Sequence, residues 1–367
     1  EGAKSVRIRD AFPVTDGRVP QGVALKSFRS SVRPPVAVLY DVDPGWPEPD
    51  RAESLRQARL LCDGIAAAGH EVREIRMEDD RIEQALEPFD PTRWIVFNWC
   101  ESLPGVYRGD ILAARVLEDK GYVFTGAAAS IIESSWDKRW VRRRLAEAGV
   151  PMPVGRFADT PDVPGWDRFP AIVKPAGEHC SVGVGPESVV YDERSLRERV
   201  AWVIEHHGPR ALVEEFIDGP EYHVALLGND PPRVLPPAEM DFSAYGDPRD
   251  RLCSWDSKFT PGSDAYERIA IRVPAPLDED ARKRLDAVCQ AAYRAVECRD
   301  WARMDVRLRD GTFHVLDANP NADPGPDTSM AMAAAHVGLD YGGLIARIVA
   351  HAAVRLRETP DRFDGAA

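Results

Sequence analysis

A hairpin pattern near the carboxyl end constrains this chain more than any other segment does. Residues 303–320 alternate between apolar and polar side chains on both sides of an Asp-Gly pair, which predicts two strands joined by a turn. Asp317 and Asn319 are two positions apart, so a strand puts both side chains on one face. A loop with an odd number of residues would place Asp305 opposite Asp317 and Arg303 opposite Asn319. A loop with an even number would turn Asp305 to the other face.

The predicted hairpin has one apolar face and one polar face. With the odd loop, the apolar residues that point into a core would be Met304, Val306, Leu308, Leu316 and Ala318. The other face would carry Arg303 and the oxygen donors of Asp305, Asp317 and Asn319. Hard oxygen donors of this kind suit Mg²⁺ that is held together with nucleotide phosphates. Acidic residues on a strand also occur as its solvated face, so the hairpin alone leaves both interpretations open.

Length and composition restrict the classes of protein to which this chain can belong. Its 367 residues suggest two or three domains, or one large composite domain. The net charge of −13 argues against a general nucleic-acid binder, and no apolar run approaches the length of a membrane span. The six cysteines are scattered without a C-x-x-C pair, and the first residues lack an apolar signal segment. We therefore expect a cytoplasmic protein with neither nucleic-acid nor membrane partners.

Strand-like and helix-like patterns alternate in the first part of the chain. Short apolar runs predict strands at 35–40, 72–75 and 94–98, and apolar residues at helical spacing predict helices at 51–69 and 109–120. This alternation indicates a parallel, doubly wound sheet and hence an α/β fold. Ligands of such sheets bind at the carboxyl ends of the strands, which here are the loops 41–53 and 98–110.

The rest of the chain contains further helix and strand patterns. A basic helix is predicted at 136–148, with a solvated face that carries Arg139, Arg142, Arg143 and Arg144. Further strands are expected at 169–175, 211–217 and 220–226, and further helices at 193–206, 278–297 and 339–356.

A lysine before a loop of small residues suggests phosphate binding. Lys174 ends a predicted strand and precedes the loop 176–185, whose backbone N–H groups could approach phosphate oxygens while the lysine adds positive charge. Glu214 could accept from an adenine amino group beside the backbone of residues 216–217, and Glu221 could bind ribose hydroxyl groups. For a lone loop of this composition, a flexible connector remains the alternative interpretation.

The order of these features resembles the ATP-grasp superfamily, and within it the chain is most similar to the D-alanine–D-alanine ligases. The resemblance runs from about Val36 to His351 and is carried by FPAIVKPAGEHCSVGV, ALVEEFIDGPEYHVALL and ARMDVRLRDGTFHVLDANPN. It implies an N-terminal doubly wound parallel α/β domain, followed by two α+β subdomains that clamp ATP. The expected boundaries are an arm at 1–34, a substrate domain at 35–135, a central ATP-grasp subdomain at 136–224 and a catalytic subdomain at 225–360.

The resemblance implies which residues bind ATP. Those implied at the phosphates are Lys138 and Lys174, Ser181 in the loop that folds over them, and Lys258 in SWDSKF, which matches a mobile-loop lysine near the γ-phosphate. Those implied at the nucleoside are Glu214 and the backbone of Phe216 and Ile217 for adenine, and Glu221 for ribose.

The resemblance also implies a metal site and the residues of the chemical step. Asp305, Asp317 and Asn319 would bind Mg²⁺ or Mn²⁺. Arg303 would stabilise the acyl phosphate and the tetrahedral intermediate, and the backbone N–H of Gly325 would face the oxyanion.

Three stretches depart from the family pattern, and all of them shape the substrate pocket. The family's GG-S-E loop is here DVDPGWPEPDRAES, in which Asp50 or Glu53 could replace the amine-binding glutamate. The segment NWCESLPGVYRGD lacks the family's histidine, and PNADPGPDTSM replaces a shorter serine-containing segment. In addition, Asp317 stands where the family has glutamate. These departures predict that ATP handling is retained while D-alanine recognition is not.

The sequence predicts an ATP-dependent carboxylate–amine ligase that joins small amino-acid-like substrates in specialised metabolism. Its partners would be a small-molecule carboxylate and an amine, and a homodimer is left open. A genuine D-alanine–D-alanine ligase is one alternative. A phosphotransferase or an ATP-binding module without ligase activity is another, although the intact set of lysines, glutamates, aspartates and Asn319 argues against the module. The identity of both substrates is not predicted.

Overall fold

A computed structural model describes residues 33–260 and 262–357 of this chain. The arm expected at 1–34 lies outside the described residues, except for residues 33 and 34. The described part contains three β-sheets, each with helices packed against it.

The first sheet is parallel, as the alternating sequence pattern predicts. Its strand order is β2-β1-β3-β4. The strands are β1 Val36–Asp41, β2 Val72–Met77, β3 Ile95–Trp99 and β4 Val123–Phe124, and the helices are α1 Glu48–Ala67, α2 Ile82–Leu86, α3 Gly109–Asp119 and α4 Ala129–Ser135. Strands β1 and β3 are buried along their whole length, because helices cover both faces of a parallel sheet. The carboxyl ends of these two strands therefore open at the same edge.

The second sheet is antiparallel and has the strand order β5-β8-β6-β7. Its strands are β5 Gly155–Ala158, β6 Ala171–Pro175, β7 Val189–Val190 and β8 Ala211–Glu215, and the helices beside it are α5 Lys138–Glu147 and α6 Glu193–His207. Aspartate side chains cap both helices: Asp137 accepts from the N–H of Arg139, and Asp192 accepts from the N–H of Ser195. Such caps satisfy backbone donors that have no partner within the helix, and they fix where α5 and α6 begin.

The third sheet has the order β12-β11-β9-β13-β14, with β10 paired to β9. Its strands are β9 Glu221–Leu227, β10 Arg233–Val234, β11 Ala238–Asp241, β12 Ala270–Arg272, β13 Trp301–Arg309 and β14 Thr312–Asn319. The remaining helices are α7 Trp255–Phe259, α8 Asp264–Arg268, α9 Glu279–Ala295, α10 Ser329–His336 and α11 Tyr341–Arg357. Because β9 begins at Glu221, the chain enters this sheet ahead of the boundary expected after residue 224. The four domain boundaries given in the sequence analysis stay a prediction.

The last helix, α11, packs against the first helix, α1. Where they meet, a Cβ atom added to Gly64 would lie only 2.7 Å from the Cα atom of Gly342. This close approach lets Leu344 and Ile348 enter the same core as Ile65. Among residues 33–260 and 262–357, no single helix is long and apolar enough to span a membrane. Helices α10 and α11 pass this test only when taken together, and their axes differ by 99°.

The hairpin between β13 and β14 is closed by a two-residue turn. Arg309 pairs with Thr312, so the loop holds only Asp310 and Gly311, whose φ angles are 50° and 75°. Positive φ at both central residues is what a two-residue hairpin turn of type I′ requires. Of the two loop lengths that the sequence left open, the structure therefore has the even one.

A β-bulge at Leu316 restores the register that the even loop would have lost. The register shifts between Asp305 and Val306, so that Val306 pairs with Val315 but Asp305 pairs with Asp317. The predicted pairing at the polar face is therefore confirmed, including Arg303 opposite Asn319. Leu316 itself does not enter the core as expected; it lines a cavity, and Val315 is buried in the core instead.

Candidate active site

A cavity of about 410 Å³ is lined by residues from all three sheets or from the loops that follow their strands. It brings together most of the predicted site residues: Lys138, Lys174, Ser181, Glu214, Phe216, Ile217, Glu221, Lys258, Arg303, Asp305, Asp317 and Asn319. Three predicted residues, Gly325, Asp50 and Glu53, do not line it.

A buried carboxylate links two basic side chains on one wall of the cavity. Glu214 on β8 is 1% exposed and lies beside β6. Lys174 on β6 donates from Nζ to Glu214 Oε2 at 2.8 Å, and Arg142 on α5 donates to Glu214 Oε1. The expectation that Arg142 lies on a solvated face is wrong, because both oxygens of a buried carboxylate need a partner and α5 supplies the second one.

The loop after β6 is joined to α7 across the cavity. Lys258 on α7 donates from Nζ to Ser181 Oγ at 2.9 Å, and Ser181 in turn donates to the carbonyl of Cys253 at 2.8 Å. Cys180 and Ser181 have positive φ angles of 55° and 61°, which turn this loop sharply. The structure thus brings Ser181 and Lys258 together, although 77 residues separate them in sequence.

Lys138 at the start of α5 reaches the same loop. Its Nζ donates to the carbonyl of Glu178. Burial lowers the pKa of Lys138, against the opposing effect of the negative charge of Asp317. A phosphate at this end of the cavity would add negative charge beside the ammonium group and favour its protonated form.

A second buried carboxylate lies at the start of β9. Arg307 on β13, itself 2% exposed, donates from Nε to Glu221 Oε2 at 2.8 Å and from Nη1 to the carbonyl of Ile217 at 2.7 Å. Burial alone would raise the pKa of Glu221, but the charges of Arg307 and His223 outweigh it and hold the pKa far below its usual range. Arg307 therefore fixes both Glu221 and the backbone carbonyl of Ile217.

The polar face of the hairpin lies beside β9 in the same sheet and also lines the cavity. Arg303 donates to both oxygens of Asp305, from Nε at 2.7 Å and from Nη2 at 2.9 Å. Asn319 Nδ2 lies 3.4 Å from Asp305 Oδ2. Burial would raise the pKa of Asp305, but the charge of Arg303 outweighs it and keeps the carboxylate ionised.

The donor atoms on this face fit a hard divalent cation. Asp305, Asp317 and Asn319 bring two carboxylates and an amide oxygen to paired positions of one hairpin. Oxygen-only sets of this kind suit Mg²⁺ or Mn²⁺ better than a thiophilic metal. A cation held here would share Asp305 with the guanidinium of Arg303.

The other end of the cavity is built from loops rather than strands. Asp41, which ends β1 and is fully buried, accepts from the N–H of Glu101 at 2.9 Å and from the hydroxyl of Ser102 at 2.6 Å. Glu101, Ser102, Asp323 and Asp327 line the cavity. These contacts bring the loop after β3, which the sheet topology singled out for ligands, onto the end of β1.

The residues predicted for the substrate amine lie elsewhere. Glu53 on α1 accepts from Arg56 at 2.6 Å and from Gln57 at 2.9 Å, and Asp50 lies in the first turn of the same helix. The N–H of Gly325, predicted to face the oxyanion, donates to Asp323 Oδ1 at 2.8 Å. The structure therefore does not bring Asp50, Glu53 or Gly325 to the cavity.

An aromatic cluster that sequence reasoning missed closes one side of the cavity. Trp136 packs edge-to-face against His179 with ring centroids 4.5 Å apart, and the guanidinium of Arg108 lies 4.6 Å from the Trp136 ring. Trp136 Nε1 donates to Asp110 at 3.2 Å. Trp136 and Asp110 start or flank predicted helices, and only the fold shows that they face each other.

Comparison with known proteins agrees with this fold. Residues 159–350 match the family model described as D-ala D-ala ligase C-terminus. The chain is 32% identical to uncharacterized protein y4sG of Sinorhizobium fredii, over 84% of this chain and 92% of the relative. It is 30% identical to the D-alanine–D-alanine ligase of Desulforudis audaxviator, over 82% of this chain and 94% of the relative.

The fold is also that of solved structures with little sequence similarity to this chain. The D-alanine–D-alanine ligase of Bacillus anthracis complexed with ATP matches 89% of this chain and 99% of its own, with a TM-score of 0.67 at 18% identity. The fold expected from the sequence is therefore confirmed. Together, the family model and the relatives show that this chain belongs to the D-alanine–D-alanine ligase family, whose members are ATP-grasp ligases that use ATP and a divalent metal.

Proposed function

We propose that this enzyme is an ATP-dependent carboxylate–amine ligase with a substrate pocket unlike that of a D-alanine–D-alanine ligase. It would join small amino-acid-like substrates through an acyl phosphate, in specialised metabolism, and release ADP and phosphate. One observation carries the proposal: the cavity holds the complete predicted nucleotide set, whereas the residues predicted for the substrate amine lie outside it. The six cysteines are all free in the structure, which supports a reducing compartment such as the cytoplasm.

The nucleotide would lie between the second and third sheets. Lys138 and Lys174 would contact the α- and β-phosphates, and Lys258 would approach the γ-phosphate through its contact with Ser181. Glu214 and the backbone of residues 216–217 would hold the adenine. Glu221, which Arg307 fixes in place, would accept hydrogen bonds from the ribose hydroxyl groups.

The chemistry requires activation of a carboxylate, because oxide is a poor leaving group. Transfer of the γ-phosphoryl group to the carboxylate gives an acyl phosphate, from which phosphate leaves readily. Asp305, Asp317 and Asn319 would hold the divalent metal, which when bound supplies positive charge beside the phosphate oxygens. Positioning and electrostatic stabilisation by Lys174, Lys258 and Arg303 would provide most of the remaining catalysis.

The amine would then attack the carbonyl carbon and displace phosphate. Arg303, held rigid by both oxygens of Asp305, would stabilise the negative charge that develops on the carbonyl oxygen. The contact between Ser181 and Lys258 would keep the loop over the cavity closed, so that water is excluded from the acyl phosphate.

We propose Glu101 in place of Asp50 or Glu53 as the residue that binds a substrate amine. Glu101 lines the cavity, and its backbone is held by Asp41 at the end of β1. Asp323 and Asp327 add carboxylates to the same lining. This acidic lining favours substrates that carry an ammonium group. Glu101 comes from the loop after β3, which has no equivalent of the family's histidine, and Asp323 and Asp327 come from the loop after β14.

A genuine D-alanine–D-alanine ligase is the second candidate, and one observation favours it. The relatives that cover most of this chain include proteins described as D-alanine–D-alanine ligases, such as those of Desulforudis audaxviator and Marinomonas, at 30% and 29% identity. A phosphotransferase that stops after phosphate transfer is the third candidate. The three candidates differ in their products, and so can be separated directly.

Hydroxylamine trapping tests the proposed chemistry. The enzyme is incubated with ATP, Mg²⁺ and one carboxylate at a time, with hydroxylamine replacing the amine. An acyl phosphate reacts with hydroxylamine to give a hydroxamate and phosphate, and both are measured with ADP. We expect hydroxamate, ADP and phosphate in equal amounts for at least one amino acid other than D-alanine. ADP formation with a stable phosphorylated product and no hydroxamate would show a phosphotransferase and overturn the proposal.

A further inference from the structure

One wall of the cavity holds a cluster of three metal-ligating side chains that the proposed reaction does not require as a set. A carboxylate oxygen of Glu221, a ring nitrogen of His223 and the sulfur of Cys253 all lie within 4.8 Å of one another. Glu221 and His223 are buried, and Cys253 is half-buried. All three line the cavity.

The fold explains why the three side chains converge. Glu221 and His223 are two positions apart on β9, so both point to the same side of the third sheet. Cys253 approaches them from the segment before α7, whose position is fixed by the hydrogen bond from Ser181 to the Cys253 carbonyl. The cluster is therefore formed by strand β9, which the third sheet holds, and by the segment before α7, which the hydrogen bond from Ser181 holds.

The imidazole of His223 points to a ligand for this cluster. His223 is 8% exposed, and its Nε2 atom has no hydrogen-bond partner within residues 33–260 and 262–357. The nearest charged atoms are Glu221 Oε1 at 3.5 Å and Asp305 Oδ1 at 3.9 Å, both beyond good hydrogen-bond length. A buried ring nitrogen without a partner is unfavourable, and a metal ion is one partner that would satisfy it.

We propose that Glu221, His223 and Cys253 form a binding site for a borderline-soft divalent cation of the Zn²⁺ class. Sulfur, nitrogen and oxygen donors are the ligand set that zinc prefers, whereas Mg²⁺ takes oxygen donors almost exclusively. Tetrahedral bonds of about 2.0–2.3 Å put ligand atoms roughly 3.3–3.8 Å apart. The present spread of up to 4.8 Å needs a side-chain adjustment of about 1 Å to reach that geometry.

The site would hold three protein ligands and leave the fourth position to water. On binding, the thiol of Cys253 releases its proton to solvent, and the imidazole binds in its neutral form. The site shares no residue with the neighbouring oxygen-only set of Asp305, Asp317 and Asn319, so the two can discriminate between metals by donor type.

The position of this site has a consequence for the enzyme, which rests on the proposed function. Glu221 is the residue proposed to bind the ribose of ATP. A zinc ion that takes a carboxylate oxygen of Glu221 would remove the ribose contact and occupy part of the nucleotide cavity. We therefore infer that zinc inhibits this enzyme by excluding the nucleoside, and that the sensitivity depends on Cys253 and His223.

The first experiment measures metal binding without nucleotide. Zn²⁺ binding to the full chain is followed by calorimetry in a non-chelating reductant, and Co²⁺ is used as a spectroscopic probe of thiolate ligation. We expect one tight site per chain and a thiolate-to-cobalt absorption band. Cys253→Ser should abolish the band, and Cys253→Ser and His223→Gln should each weaken Zn²⁺ binding at least roughly tenfold.

Cys180→Ser is the matched control, because Cys180 also lines the cavity but is not in the cluster. Circular dichroism and thermal melting establish that each variant is folded. Unchanged zinc affinity in both folded variants, or a loss of the cobalt band in Cys180→Ser, would overturn the site.

The second experiment separates this site from the proposed function. Adenosine is titrated against the zinc-loaded enzyme, because it contains the ribose and the base but no phosphate that would chelate the metal. We expect zinc to weaken adenosine binding at least tenfold in the wild-type chain and not in Cys253→Ser. Zinc binding that requires Cys253 but leaves adenosine affinity unchanged would overturn the proposed inhibition and the ribose assignment of Glu221, while the metal site itself would stand.

Discussion

The two ends of the cavity are built in different ways. At the proposed nucleotide end, several charged side chains stand on strands and have buried partners: Lys174 pairs with Glu214, Glu221 with Arg307 and Arg303 with Asp305. At the substrate end, the lining residues stand on loops, such as Glu101 and Asp323. Strand register fixes side-chain positions tightly, whereas loops tolerate sequence change. Under the proposed function, this difference is how one chain would retain ATP handling while its substrate pocket changes.

The largest effect is expected at the hairpin of β13 and β14. Asp305→Asn keeps the side-chain shape but removes the charge that orients Arg303 and that we propose binds the metal. We expect turnover to fall at least roughly 100-fold at saturating ATP, measured as phosphate release, with a folded protein by thermal melting. Asp305→Ala is less suitable, because it would also leave the buried guanidinium of Arg303 without its hydrogen bonds.

Asp310→Asn is the matched control for this variant. It makes the same chemical change on the same hairpin, at the exposed turn rather than in the cavity. Turnover should remain close to that of the wild type. If Asp305→Asn retains wild-type turnover, the metal and catalytic assignments of the hairpin are both wrong.

A smaller effect, on ATP affinity, is expected at β6 and β8. Lys174→Met removes a phosphate contact and one partner of buried Glu214, so the KM for ATP should rise roughly tenfold, about 1.4 kcal/mol. Glu214→Gln should relax the preference for ATP over GTP, since the glutamine amide can donate to the guanine carbonyl, whereas the carboxylate can only accept from the adenine amino group. Lys283→Met on α9, a lysine 67% exposed, should change neither quantity. Unaltered nucleotide binding in both Lys174→Met and Glu214→Gln would contradict the assignment of Lys174 to the phosphates and of Glu214 to the adenine.

The substrate end should respond separately from the nucleotide end. Glu101→Gln removes the carboxylate proposed for the substrate amine, and the KM for the amino-acid substrate should rise roughly fivefold, about 1 kcal/mol. The KM for ATP should stay unchanged. Glu53→Gln should have no effect on either KM, because Glu53 does not line the cavity. A rise in both KM values with Glu101→Gln would show that the two ends are not independent.

The smallest effect concerns stability and its dependence on pH. Burial, together with the charge of Lys138, lowers the pKa of His179 to about 4. Between its ordinary pKa of roughly 6.5 and this value, the unfolded chain binds a proton that the folded chain does not, so stability falls as pH falls. Between pH 7 and pH 5, the free energy of unfolding should fall by about 1 kcal/mol. This is less than the full pKa shift would give, because the His179 ring is only partly buried.

His179→Phe should flatten this pH dependence while keeping a ring against Trp136. Urea unfolding at pH 7 and pH 5 measures the effect. His206→Phe is the control, since His206 also contacts a tryptophan, Trp202, but is exposed. An equal loss of stability between pH 7 and pH 5 in the wild type and in His179→Phe would contradict the assignment.

The sequence predicted the long elements and the polar face of the hairpin, because their periodicity is strong. It did not predict the bulge at Leu316, although a signal is visible: Val315 and Leu316 are adjacent apolar residues in a strand that otherwise alternates. Short strands such as β7 and β10 hold too few residues for a period to be read. The local sequence pattern therefore predicts which side chains share one face of a strand. The register between two strands depends on their pairing, which only the folded chain shows.

The residues predicted for the nucleotide lie together in the cavity, whereas those predicted for the substrate amine do not, and the reason is physical. Residues on strands keep a fixed spacing, so a motif match transfers their positions. Asp50 and Glu53 were predicted from a loop of different length, and they lie on α1 outside the cavity. Arg142 was predicted to be solvated because helix periodicity reports polarity only, and it cannot report that a buried carboxylate on β8 needs a partner.

The most direct test of the central claim is a phosphate-release screen of amino acids and small carboxylates, alone and in pairs, with the product masses measured. The claim is that the nucleotide end is that of the family while the substrate end is not. We expect ATP- and Mg²⁺-dependent phosphate release with a product whose mass equals the two substrates less one water, and a best pair other than two D-alanines. Efficient D-alanyl-D-alanine synthesis, with a kcat/KM above that of every other pair, would contradict the account.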